Sequence, residues 1–389
     1  PTPKPIPTPK PTPIPTPTPK PNPIPIPNRK ATPNPMSARQ EPESRYARQV
    51  RFRPIGEAGQ RVISSARVLI VGCGALGSHA AELLCRAGVG SLHLVDRDVI
   101  EWTNLQRQLG FREEDAASSR SKSLTLAEHL SAINSEVEIV PHATELDYRN
   151  AESLARGSDI IVDGTDNVLT RFLINDLSLH LGIPWVYAGV IEAHGSIQAF
   201  SGRREGPCLR CFLRDLPAPG TLPTCDTAGV VGPAVAAVAG QQSALVLRVL
   251  VESAAGVDPS APPFGRQVRL DLWNLEQRTV RVPRDPDCPT CHGGEFRVLA
   301  GELGVGSVEL CGRNAIQVRP PQPIPVSGDE WDRLSRRLGE LGAVDLRDGL
   351  MRVRSEDFTL TLFSDGRAIF DGLTDESQAR SLYARFVGH

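Results

Sequence analysis

Residues 68–84, "VLIVGCGALGSHAAELL", decide how the rest of the chain is read. A run of four aliphatic residues is what a strand buried on both faces shows. Gly72, Gly74 and Gly77 follow in G-x-G-x-x-G spacing, and a helical pattern begins at once. Glycine at these places permits a tight turn and lets a phosphate approach the backbone N–H groups at a helix N-terminus. Asp96 closes the next aliphatic run, nineteen residues after Gly77. A carboxylate there can accept hydrogen bonds from ribose hydroxyls. Asp98, two residues on, joins Asp96 and the three glycines in the predicted cofactor-binding set. The motif predicts nucleotide binding without settling which nucleotide, and taken alone it makes NAD or FAD the default.

The same texture extends outward. "SLHLVD" (91–96), "EVEIVPHA" (136–143), "SDIIVDGT" (158–165) and "IPWVYAGV" (183–190) read as strands, separated by helical segments over Ala75–Ala87, Lys122–Ile133 and Asn167–Leu181. Alternating strands and helices predict an α/β fold, a Rossmann-like, doubly wound and mostly parallel sheet. "SIQAFS", "VRLDLWNL" and "RTVRV" follow as later, antiparallel strands. Val230–Val251 is strongly apolar, but Gln241, Gln242 and Ser243 at its centre and Pro233 near its start mark a buried core helix and not a membrane span.

Three regions are expected. Residues 1–43 hold a proline at every odd position up to 27 and should be a disordered, extended tail. Met36 is followed by an ordinary soluble sequence, so it is read as the natural start, with residues 1–35 an upstream artefact. Residues 44–295 carry the nucleotide and cysteine motifs. Residues 296–389 form a small α+β unit with a helix near Gly328–Leu341, a hairpin turning at Asp365-Gly366, and a final helix. The net charge of −2 gives no basic footprint for nucleic acid or anionic membrane. No charged-then-apolar leader is present, so the eight cysteines are expected to be cytoplasmic thiols or metal ligands.

"PCLRC" and "DCPTC" supply Cys208, Cys211, Cys288 and Cys291. Two Cys-x-x-Cys knuckles suit a tetrahedral structural zinc that clips distant segments together. "CPTCH" also matches c-type haem attachment, but that chemistry needs export and leaves the first pair without a task. Two redox pairs so far apart are a weaker alternative. Cys73 and Cys85 read as small core hydrophobes.

Charged and amide residues then cluster where a hydride-transfer enzyme would not need them. Asn104, Arg107 and Gln108 follow the second strand, Lys122 opens a helix, and "DGTDNVLTRF" (163–172) brings Asp166, Asn167 and Arg171 to a strand's carboxyl end. Arg45, Arg48 and Arg51 stand near the start of the globular region. Two cations and a carboxylate around a nucleotide turn suit a triphosphate with magnesium better than a dinucleotide.

These residues, together with "RYARQ" (45–49), "TNLQRQ" (103–108) and "CDTAGVVGP" (225–233), occur in an order that resembles the ThiF/MoeB adenylyltransferases, relatives of ubiquitin-activating enzymes, over residues 44–292. The resemblance implies ATP, Mg2+ and Zn2+ as cofactors and a homodimer. It implies adenylylation of the C-terminal glycine carboxylate of a ubiquitin-like sulfur-carrier protein ending in Gly-Gly, with a separate desulfurase or rhodanese as sulfur donor. By position, Asp96 would bind ribose, Asp166 magnesium, and Asn104, Arg107 and Lys122 the phosphates. Arg48 would reach the neighbouring subunit's triphosphate. Cys225 would form a thioester or acyl–persulfide link to the carrier. The spacing from Arg107 to Lys122 is about two residues longer than the family pattern, which makes Arg120 a rival to Lys122. "VDLRDG" (344–349) faintly resembles the opening of a rhodanese domain, but no cysteine follows it, so residues 296–389 are not expected to transfer sulfur. An NAD- or FAD-dependent oxidoreductase and a non-catalytic zinc scaffold of the same fold remain the alternatives.

Overall fold

Strand β1 (Arg67–Val71) shows why the sheet is buried on both sides. Val68 and Ile70 enter one hydrophobic core, while Leu69 and Val71 enter another, as the two-residue period of a strand requires. Strand β4 (Ile160–Asp163) divides in the same way, Ile160 and Val162 to the first core and Ile161 to the second. The computed structural model describes residues 45–217, 228–256, 258, 261–303, 308–309, 315–318, 320, 329–347, 350–363 and 365–387. The proline-rich tail, Cys225 and Cys311 lie outside the described residues.

The remaining strands of the first sheet are β2 (Ser91–Val95), β3 (Glu138–His142), β5 (Trp185–Ile191), β6 (His194–Phe200), β7 (Arg266–Asp271) and β8 (Glu276–Arg281). Their spatial order is β3-β2-β1-β4-β5-β6-β7-β8. The five strands from β3 to β5 are parallel, and β6, β7 and β8 add antiparallel strands, as the sequence predicts. The chain leaves β1 toward β2 on one side and returns to β4 on the other. The crevice at that reversal is where doubly wound sheets bind ligands.

Helix Ala75–Ala87 begins at the glycine turn and ends at Gly88, whose φ of 76° completes a left-handed cap. The predicted bounds of this helix and of Lys122–Ile133 match those observed, and the third helix runs Val168–Leu181 with Asn167 as its N-cap. The apolar helix runs Gly232–Ala254. It has the length and hydropathy of a membrane span, yet half of its most apolar stretch is buried in the protein. Gln242 explains the placement. It is fully buried, and its Nε2 donates to the carbonyls of Asp163 (2.8 Å) and Val186 (3.1 Å), tying the helix to β4 and β5.

A second sheet is antiparallel throughout. It comprises β9 (Val308–Glu309), β10 (Ala315–Val318), β11 (Ala343–Arg347), β12 (Leu350–Arg354), β13 (Thr359–Phe363) and β14 (Ala368–Asp371), in the order β11-β12-β13-β14-β10-β9. β13 and β14 form the predicted hairpin. Helices Asp329–Leu338 and Glu376–Phe386 cover one face, where Leu334, Leu360, Leu362, Phe370 and Tyr383 pack together. The other face buries Ala315, Leu350, Phe363 and Ile369 with Val99 of the first sheet's loops against them.

Candidate functional site

Three backbone segments meet at the crevice so closely that only glycine fits. Gly72 has φ of 89°. A Cβ on Gly77 would fall 1.8 Å from the carbonyl oxygen of Gly72, and one on Gly164 would fall 2.3 Å from the same atom. The N–H of Gly164 also donates to the carbonyl of Val71 (2.8 Å), so the loop after β4 is attached to the turn after β1. Asp96, at the end of β2, completes the frame. Its Oδ2 accepts from the Cys73 N–H at 2.6 Å and its Oδ1 from the Asp98 N–H at 2.7 Å. Burial pushes its carboxyl above the usual range, against the opposing pull of Lys122. Asp96 is thus held rigidly by backbone donors, and its remaining lone pairs can serve a ribose.

Lys122 opens its helix with its side chain buried and its Nζ 3.2 Å from Asp98 Oδ2. Its N–H donates to the Asp98 carbonyl (3.0 Å), so both ends of the residue are fixed to the same aspartate. Arg120 is committed elsewhere, to Glu128 (2.7 Å) and Asp115 (3.4 Å). The segment before Lys122 holds the short helix Glu113–Ala117 and Ser119 at φ of 50°. The geometry favours Lys122 over its rival.

The segment 101–110 lies over the start of helix Ala75–Ala87, where the Leu109 N–H donates to Ser78 Oγ (3.0 Å). Asn104 is buried and accepts from the Glu101 N–H (3.1 Å). Arg107 Nη1 rests on the Thr103 carbonyl (2.6 Å). Gln108 is buried with its Oε1 unpartnered, and its Nε2 would lie 3.8 Å from a Cβ on Gly74. That places Gln108 beside the glycine turn, in the same "TNLQRQ" run as Asn104 and Arg107. Helix Gly232–Ala254 begins against this segment, since a Cβ on Gly232 would meet the Gln106 carbonyl at 2.7 Å.

Asp166 and Asn167 are exposed on the loop after β4. Asn167 Oδ1 accepts from the Thr170 N–H (3.2 Å) and caps the helix. Beneath them, fully buried Asp163 accepts from the Thr165 N–H (2.9 Å) and hydroxyl (2.8 Å), and pairs with Arg171 Nε at 2.9 Å. Arg171 Nη2 donates to the carbonyls of Thr165 (2.6 Å) and Ala188 (3.1 Å). Arg171 therefore braces the loop from below. Nothing in the sequence separates this structural arginine from Arg107.

Arg48 is exposed and does not join this crevice in its own chain. Gln49 bonds to the Ala87 carbonyl (2.9 Å) and Tyr46 accepts from Asn134 Nδ2 (2.9 Å). Arg48 therefore lies at the C-terminal end of helix Ala75–Ala87, about 20 Å from the glycine turn.

Cys208, Cys211, Cys288 and Cys291 converge, with all four sulfurs within 4.8 Å of one another. The Cys208–Cys288 and Cys211–Cys291 separations are 3.6 Å and the Cys208–Cys211 separation is 3.9 Å. A tetrahedron with metal–sulfur bonds of about 2.3 Å has edges of about 3.8 Å, so the donors fit zinc. Shared thiol hydrogen bonds pull Cys211 down and push Cys208 up. The Leu209 N–H donates to Asn175 Oδ1 (2.8 Å), which seats the first knuckle on helix Val168–Leu181.

A model of the ThiF family matches residues 46–290. The chain is 37% identical to the sulfur carrier protein ThiS adenylyltransferase of Bacillus subtilis over 348 residues, 88% of this chain and 99% of that one. It is 35% identical to the SAMP-activating enzyme E1 of Haloferax volcanii, over 68% of this chain and 91% of that one. Among solved structures it resembles E. coli MccB with ATP, at a TM-score of 0.54 and 21% identity, covering 64% of this chain and 74% of that one. At that identity the likeness bears on the fold.

Proposed function

We propose, for a chain that belongs to the ThiF family, the ATP-dependent adenylylation of the C-terminal glycine carboxylate of a small ubiquitin-like sulfur carrier. The observation that carries this reading is Lys122, an ammonium buried beside Asp98 and the Asp96-bound glycine turn. A hydride-transfer site has no use for it, and a triphosphate does. The carrier carboxylate attacks the α-phosphorus of ATP, a P–O bond forms, and the bond to pyrophosphate breaks. The nucleophile is already ionised near neutral pH, so no general base is required. The residues act by positioning and by stabilising charge on the leaving pyrophosphate.

Asp96 and Asp98 hold the ribose side of the site, and Gly72, Gly74 and Gly77 admit the phosphates. Asn104, Arg107 and Lys122 meet the phosphate charge. Asp166 is the ligand for Mg2+, which neutralises phosphate charge when bound, with Asn167 beside it. Cys208, Cys211, Cys288 and Cys291 hold a structural Zn2+. Arg48, remote from its own crevice, serves the site of a second copy in a homodimer. Cys225 takes the activated acyl group before a separate desulfurase or rhodanese supplies sulfur. Four closely placed thiols suit the reducing cytoplasm. The 348 residues matched to the Bacillus subtilis protein exceed the span of the family model, so that likeness continues into the antiparallel unit. A ThiS-type carrier is therefore the first to test. Pyrophosphate exchange into ATP should appear only with a Gly-Gly-ended carrier present. Failure to exchange with every such carrier of the thiamine, molybdopterin and related pathways would refute the assignment.

A further inference from the structure

The antiparallel unit covers the two segments that carry Asp98 and Lys122. Residues 98–100 and 120–122 pair as a short ladder, with the Ile100 N–H on the Arg120 carbonyl (2.8 Å), the Lys122 N–H on the Asp98 carbonyl (3.0 Å) and Val99 bridged to Ser121. Several contacts of the second sheet fall on this ladder, on Arg97 just before it, or on Ser119 just before its second segment. Val99 packs against Phe363 and its neighbours. Arg352 donates to the hydroxyl of Ser119. Arg367 is fully buried, stacks on Phe363 and donates through Nη2 to the Arg97 carbonyl (3.3 Å).

Arg97 is the link between the two units. Its Nη1 donates to Glu145 (2.6 Å) and to Oε1 of Gln317 on β10 (2.9 Å), and its Nε lies 3.7 Å from Asp98 Oδ1. The opposite oxygen of Asp98 holds Lys122. Gln317 is completely buried, and its Nε2 reaches Glu145 Oε2 at 3.5 Å. A chain of polar contacts therefore runs from β10 to the lysine: Gln317, Arg97, Asp98, Lys122.

We propose that the C-terminal antiparallel sheet is a positioning element for adenylylation, with Gln317 a positioning residue that acts on Lys122 through Arg97 and Asp98. The inference rests on the adenylyltransferase reading and assigns residues 296–389 a task in the nucleotide step, not in carrier recruitment. Leucine fills the volume of Gln317 and removes both of its hydrogen bonds. A displaced ammonium loses charge stabilisation in the transition state, where small misplacements are costly.

The test is steady-state pyrophosphate exchange by the full-length protein, with Gln317→Leu, Lys122→Ala and the double variant. Gln317→Leu should lower kcat/KM for ATP roughly tenfold or more and leave the carrier KM unmoved. In the Lys122→Ala background the same substitution should have no further effect, because its target is gone. An equal fold-loss in both backgrounds would overturn the proposal, since the residue would then act on general stability. Unchanged ATP kinetics, or a raised carrier KM, would overturn it too. Failure of the wild-type protein to exchange with any carrier would instead count against the adenylyltransferase reading.

Discussion

Arg171→Leu tests how the loop bearing Asp166 is held. The substitution keeps most of the side-chain volume and leaves Asp163 fully buried with the Thr165 N–H and hydroxyl as its remaining donors. It also strips the carbonyls of Thr165 and Ala188 of a donor. Removing one partner of a buried ion pair costs about 3–5 kcal/mol, most of it from the charge left behind. A loss of about 4 kcal/mol in urea unfolding is expected for Arg171→Leu. Adding Asp163→Asn removes that charge while keeping an acceptor for Thr165, so the double variant should recover about 2 kcal/mol. The pH dependence has a definite sign. Burial already raises the Asp163 carboxyl above its ordinary value. Without Arg171 it rises further, so the penalty is full above the folded value and shrinks as pH falls through it. The variant should therefore lie closer to wild type at pH 5 than at pH 8. It should also lose activity at saturating carrier, because the Thr165–Asp166 turn is no longer braced. A double variant no more stable than Arg171→Leu would refute the reasoning, as would a single variant within 1 kcal/mol of wild type at both values of pH (about twice the scatter of an ordinary surface substitution).

Three further outcomes are expected. Metal analysis should give one zinc per chain. Cys208→Ser should abolish it and lower the melting temperature by roughly 10 °C. Cys225→Ser should retain pyrophosphate exchange and lose thiocarboxylate formation, read by mass spectrometry of the carrier; loss of exchange would make the residue structural. His93, stacked on His142 and facing Arg67, is held down to about 4 from an ordinary 6.5, chiefly by burial. A lowered basic group stabilises the native state fully above 6.5, and that stability is lost as pH falls toward 4, on the order of 2 kcal/mol in urea titrations. His93→Gln should flatten this slope.

Much of the nucleotide sheet was legible because its determinants are local. The aliphatic run before Gly72, the helix after Gly74 and the two Cys-x-x-Cys knuckles each lie within a few residues of their consequences. The short helices Ala47–Val50 and Ala151–Ala155 have too few turns to show a periodic face. Arg171 and Arg107 have the same chemistry, and only the buried carboxylate of Asp163 beside the first marks it as a brace. Gln317 meets Arg97 across 220 residues, and no spacing rule reaches that far. Gln242 reads as a flaw in an apolar helix until the carbonyls of Asp163 and Val186 are seen opposite it.

The cysteine cluster also closes a long loop of the chain. Its two knuckles stand 80 residues apart, with β7, β8 and the long apolar helix between them. Bringing the ends of such a loop together costs roughly 4 kcal/mol of chain entropy before any sulfur can share a metal. All five parallel strands and the glycine turn lie ahead of the first knuckle, so a nascent chain can assemble its nucleotide crevice while Cys288 is still unmade.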